Sequence, residues 1–181
     1  MFAPEDPRRL AAMRIGVCSV VALRLALADY APRAERQSSF RPHFYMDLFL
    51  RMPSAETRTA LQICGIVAAL IAAAGLALRF TLPLAFGCTL FLNGMANSTG
   101  RVLVRDAVLI LCLLLLVACG NAAGDAWTLR GPLRRAFRGA VAHRPPTAGA
   151  RYGWPIRTAM IVLTLAYFFA GFQKWRYSGL P

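Results

Sequence analysis

Lys174 is the only lysine among 21 basic residues, the other twenty being arginine. A chain that uses arginine everywhere else has placed an ammonium at this one position. An ammonium can give up its proton in an apolar site, whereas a guanidinium keeps its charge. Helical spacing puts Tyr167, Gly171 and Lys174 on one face, at intervals of four and three. Gly171 leaves room beside the lysine, and Tyr167 adds a ring and a hydroxyl. Turned inward, such a face has the composition of a small-molecule pocket. Turned outward, it is an interfacial anchor beside Trp175.

Other polar groups interrupt the apolar blocks. Arg24 falls late in the first block, Asn93 and Asn97 late in the third, and Arg105 and Asp106 at the start of the fourth. Ionisable groups at membrane depth are costly and gain from pairing. Arg24, Asn93 and Asp106 are therefore expected to approach one another, with Asn97, Arg105, Tyr167, Gly171 and Lys174 in the same layer. Cys18, Cys64, Cys88, Cys112 and Cys119 all lie inside apolar blocks. With no C-x-x-C pair and no ligand spacing to His43 or His143, they read as small buried hydrophobes, not as disulfides or a metal site.

The elements that must position these groups are long. The chain is 57% hydrophobic and only 16% charged, where a soluble domain carries about a quarter charged residues. Apolar blocks near twenty residues read as membrane spans. Five are expected, at 10–30, 59–78, 80–97, 102–120 and 154–175. Pro83 is assigned to the first turn of the third, and the small residues 68–75 to close helix contact in the second. Residues 1–181 form one domain with no internal repeat, and the first block is expected to be kept as a helix, not cleaved as a signal peptide. The fold class is thus all-α: a polytopic membrane bundle of about five transmembrane helices.

A basic interfacial amphipathic helix is expected within 121–153. There Trp127, Leu133, Phe137 and Val141 share an apolar face, leaving Arg134, Arg135 and Arg138 for the lipid surface. The net charge of +13 does not indicate nucleic acid, because the arginines flank apolar blocks and form no basic face with stacking aromatics. Flanking arginine instead sets orientation. The most basic connection, 121–153, and the N-terminus with Arg8 and Arg9 are expected in the cytoplasm, and the C-terminus outside. The expected location is a bacterial inner (cytoplasmic) membrane.

The run Ala166-Tyr167-Phe168-Phe169-Ala170-Gly171-Phe172-Gln173-Lys174 resembles the Tyr-Phe-x-Ala-Gly-x-x-Lys segment of the vitamin K-dependent gamma-carboxylase-like transmembrane domain, the HTTM domain. Arg14-Ile15-Gly16-Val17 resembles the opening of that family's first helix, Phe44-Tyr45-Met46-Asp47 its first outer loop, and Ala126-Trp127-Thr128-Leu129 its Trp-Ser-Leu segment. Asp106 is similar to the acid that opens its fourth span. In the carboxylase the matching lysine deprotonates reduced vitamin K. The resemblance therefore implies a base role for Lys174 and a quinone or hydroquinone as cofactor. The chain departs from the family at Asp125, where the carboxylase has a histidine. It also departs at Arg24, where bacterial members often have an acid, and at Arg130. It stops at Pro181, where the family continues, as a short member or a fragment would. A complete carboxylase is not expected.

Two readings follow. One is a membrane domain with an outer-leaflet pocket for a quinone or lipid. The other is a non-catalytic subunit of a larger respiratory or photosynthetic membrane complex, with lipids and other subunits as partners. No G-x-S-x-G, H-E-x-x-H or P-loop motif supports another enzyme class. The orientation has a direct test. A membrane-impermeant maleimide added outside should label Ser38→Cys and miss Arg135→Cys; labelling at 135 reverses the topology.

Overall fold

Pro7 occupies the first position of a helix, where its missing N–H costs nothing. Asp6 caps the same end, its carboxylate accepting from the Arg8 backbone N–H at 2.8 Å. These two residues start α1, Pro7–Leu27. The computed structural model describes residues 5–28, 53–98, 104–124, 126–128 and 149–177. Helix α2 is Ala55–Ala73, α3 is Leu78–Ser98, α4 is Val104–Cys119, and α5 is Ala150–Tyr177. A 3-10 turn at Gly120–Gly124 continues α4. Apart from one antiparallel bridge between Glu5 and Gly149, the described residues are helical or lie in short connections.

Among the described residues, four helices are long and apolar enough to cross a membrane: Pro7–Leu27, Ala55–Ala73, Leu78–Ser98 and Arg151–Arg176. The expected fourth span is shorter, because α4 has 16 residues, about 24 Å at the helical rise. The expected interfacial helix, with Arg134, Arg135 and Arg138, lies outside the described residues except at its start. There Trp127 has φ +48° and sits in a bend; Leu133, Phe137 and Val141 lie outside the described residues.

The second span also begins and ends earlier than its composition suggests. Ser54 caps α2, accepting from the Thr57 N–H at 3.2 Å. Arg58, one residue before the expected span, is therefore inside the helix and fully buried, its Nε donating to the Ser54 carbonyl at 3.3 Å. At the other end Gly75 takes φ +79°. Its N–H donates to the Ala72 carbonyl at 2.9 Å, and the Leu76 N–H to Ile71 at 3.1 Å. This pair of bonds is the Schellman termination, which favours glycine at the left-handed position. Ala68, Ala69 and Ala72 do pack into the core, but Gly75 stops the helix. Helix α3 then starts at Leu78, which puts Pro83 in its second turn, not its first. The backbone bond to Arg79 is the one it deletes.

The helices alternate in direction. Gln62, near the start of α2, donates through Nε2 to the carbonyls of Leu25 and Ala28 at 2.7 and 2.9 Å, satisfying the last carbonyls of α1. The starts of α1 and α5 meet at the Glu5–Gly149 bridge. Leu10, Cys18, Val21, Leu82, Leu92 and Leu113 lie in the core between them.

Two glycines test this reading. A Cβ on Gly75 would lie 2.6 Å from the Thr128 Cγ2 and face a left-handed backbone, whereas one on Gly171 meets nothing within 4 Å. Gly75→Ala should cost about 2–3 kcal/mol. Gly171→Ala should change stability by about 1 kcal/mol at most, in the stabilising direction. Unfolding in mild detergent reads both; equal effects would contradict the turn.

Candidate functional site

Leu10, Arg14, Cys18, Val21 and Leu25 recur at helical spacing along α1 and are all buried. Arg24 lies beside that stripe, near the end of the helix. Asp106 lies in the first turn of α4, where the helix dipole favours an acid. Because α4 runs antiparallel to α1, its start meets the end of α1. The Arg24 guanidinium grips the Asp106 carboxylate with two bonds, Nε to Oδ1 and Nη2 to Oδ2, each 3.1 Å. Such a fork fixes both side chains in one plane. The aspartate side chain is 9% exposed and the arginine 30%, so solvent screens the arginine side only.

Asn93 of α3 and Thr89, one turn before it, face the same cleft, which Val21, Leu25 and Leu109 wall with apolar groups. The Asn93 Oδ1 is buried without a protein hydrogen bond, and the cleft has room for about one water molecule. Thr89 turns its hydroxyl to the Ala85 carbonyl of its own helix at 2.7 Å. The cleft therefore offers one buried acceptor beside a neutralised ion pair. It suits a water or a single donor group. With both its oxygens held by Arg24, Asp106 is poorly placed to take a proton from a substrate.

The other expected residues are elsewhere. Asn97, one turn along α3 from Asn93, is half-buried and does not line the cleft. Arg105 precedes Asp106 in α4; its side chain is outside the described residues. Tyr167, Gly171 and Lys174 do share a face of α5, but that face is turned away from the bundle. Tyr167 is 77% exposed, Lys174 is exposed, and Gly171 borders open space. The groups expected to cluster are thus divided between a cleft on α1, α3 and α4 and a separate exposed face of α5. The cause is that α5 packs against the bundle through its first turns, where Tyr152 and Pro155 are fully buried. Among the described residues, no group of three potential metal ligands occurs.

Arg14 is the residue the sequence reading passed over as a site. It is fully buried and donates to carbonyls in three segments: Ala123 through Nη1, Trp127 at 2.7 Å and Ala73 at 3.4 Å. The signal was present, since Arg14 sits on the same stripe as Leu10 and Cys18, four residues either way.

The chain matches no family model, no curated protein and no solved structure. The likeness to the carboxylase-like domain accordingly rests on the quoted motifs alone.

The ion pair makes a quantitative prediction. Arg24→Leu leaves a nearly buried carboxylate without its partner and should cost about 2–3 kcal/mol, after allowance for the exposed arginine side. Adding Asp106→Leu should recover most of that loss, to within about 1 kcal/mol of wild type. A double variant no more stable than Arg24→Leu would mean that the two groups do not act as a pair.

Proposed function

We propose that the chain is a non-catalytic helical subunit of a larger membrane complex, crossing the bilayer five times and docking through the outer half of α5. One observation carries this reading. Only 11% of the apolar window of α5 is buried within the chain, against 39%, 28% and 50% for α1, α2 and α3. Beyond Ala159 the helix presents Phe168, Phe169, Phe172 and Trp175, all largely exposed. Phe172 stacks on Phe168 at 6.3 Å and touches Trp175 at 5.7 Å, forming an ordered aromatic ridge. A neighbouring transmembrane helix is the occupant that such a ridge suits, because aromatic packing adds contact energy in lipid, where the hydrophobic effect does not.

The five-span topology has support of its own. Helix α4 and its 3-10 continuation together reach about 34 Å, enough for a crossing. The Glu5–Gly149 bridge favours putting the N-terminus and the 121–153 connection on one side, the cytoplasmic side by charge.

A second reading keeps the outer-leaflet pocket for a quinone or lipid. The buried, unpartnered Asn93 Oδ1 favours it, as the acceptor for a hydroquinone hydroxyl or a headgroup donor in a cleft that would have to widen. Lys174 then serves as an anchor.

One experiment separates the readings. The protein is extracted with its lipids into polymer-bounded nanodiscs, and the protein and quinone content of the discs are measured for wild type, Lys174→Arg and a Phe168→Ala, Phe169→Ala, Phe172→Ala triple variant. The subunit reading expects other protein chains to stay in the disc with the 19.8 kDa chain, to be lost from the triple variant and to be retained by Lys174→Arg. A single chain with bound quinone in all three would overturn it in favour of the cleft. Loss of quinone on Lys174→Arg alone would restore the base role.

A further inference from the structure

Helices α2 and α3 form a hairpin joined by residues 74–77. Cys64 and Cys88 each lie twelve residues from Leu76, in the middle of that connection. Antiparallel helices leaving a short turn bring equidistant residues to the same depth. The two helices also approach closely at this level. A Cβ built on Gly65 would lie 3.0 Å from the Cys88 Cβ and 3.0 Å from the Leu25 Cδ1, so a larger residue there would press against Cys88 and Leu25. Cys64 is the neighbouring thiol that interacts with Cys88 across this contact. Both remain thiols.

Access to the pair is one-sided. Cys88 is 4% exposed, while Ile63 and Val67, beside Cys64 on α2, are 57% and 48% exposed. Cys64 is half-buried between that apolar outer stripe and the helix contact. An oxidant must therefore arrive across an apolar surface. The remaining cysteines are placed differently: Cys18 is on α1, Cys112 and Cys119 on α4, and the Cys119 thiol is bound to the Leu115 carbonyl of its own helix at 2.9 Å.

We infer that Cys64 and Cys88 are a redox site, a dithiol that closes to an interhelical disulfide when a lipid-soluble quinone reaches it from the apolar face. Both S–H bonds break and one Sγ–Sγ bond forms. The two electrons and two protons released reduce the quinone to its hydroquinone. The link joins the arms of a hairpin already fixed at one end by its turn. It also removes freedom from the unfolded chain. The inference is independent of the cleft and of any docking through α5, since neither involves these residues.

The test uses the full chain in lipid nanodiscs, exposed to tetramethyl-benzoquinone, alkylated, digested and examined by mass spectrometry. The expected result is a dominant Cys64–Cys88 linked peptide, with two of the five thiols lost to alkylation and a raised Tm. Cys112→Ala, which keeps the pair, should form the same link. Cys64→Ala should keep all four of its thiols open to alkylation after treatment. Five alkylated thiols in the treated wild type, or linked peptides spread over Cys18, Cys112 and Cys119, would overturn the proposal.

Discussion

A guanidinium with no contact to solvent governs how the helix ends meet. Arg14 is fully buried, and burying a charge is costly unless partners replace its water. Here the partners are carbonyls from Ala73, at the end of α2, from Ala123, in the turn after α4, and from Trp127. The ends of helices carry unsatisfied carbonyls and partial negative charge. One planar, multivalent cation can serve several of them, which a lysine ammonium on its flexible stem does less well. The backbone around Trp127 is held at a left-handed φ, and Thr128 then lies against Gly75. The α2–α3 turn, the end of α4 and the 126–128 segment are thus organised around one side chain of α1.

Polar groups cluster at both ends of the bundle and are few between. At the Arg14 end a cation meets main-chain carbonyls. At the other end a cation meets an acid, and Gln62 supplies donors to the last carbonyls of α1. Between them the described helices touch through small and apolar residues such as Ala69, Ala72, Ala85 and Leu82. The hydroxyls that fall in this zone, Thr81 and Thr89, bond back to carbonyls on their own chain segment. These two hydroxyls are matched within their own segment.

Much of the architecture was legible in the chain, and the exceptions have physical causes. Block length and apolar content mark the long helices, and Pro7 with Asp6 marks the start of the first. The end of α2 was missed because Gly75 continues a run of small residues, and only its positive φ makes it a stop. The start of α2 was set at 59 because an arginine at a block edge ordinarily anchors to water, yet the Ser54 cap draws Arg58 into the helix. Opposite charge and antiparallel order made an approach of Arg24 to Asp106 readable, and their side chains do meet in this fold. The face of Lys174 was also readable, but periodicity says which residues share a face and not what that face meets. That depends on where α5 leaves the bundle, which no spacing in the helix encodes.

That departure has a mechanical consequence. Helix α5 is held at its base, by Tyr152, Pro155 and Ala159 in the core and by the Glu5–Gly149 bridge, and Val162 and Ala166 stay half-buried on the same face, while the last stretch of about 16 Å is exposed. A tilt of about 10° would sweep the Trp175 end through roughly 3 Å on that length. Changes of tilt are how long apolar helices adjust to bilayers of different thickness. The lever arm would turn a small rearrangement near Tyr152 into a larger displacement at the far surface, and carry a load applied at that surface back to the ends that Arg14 gathers.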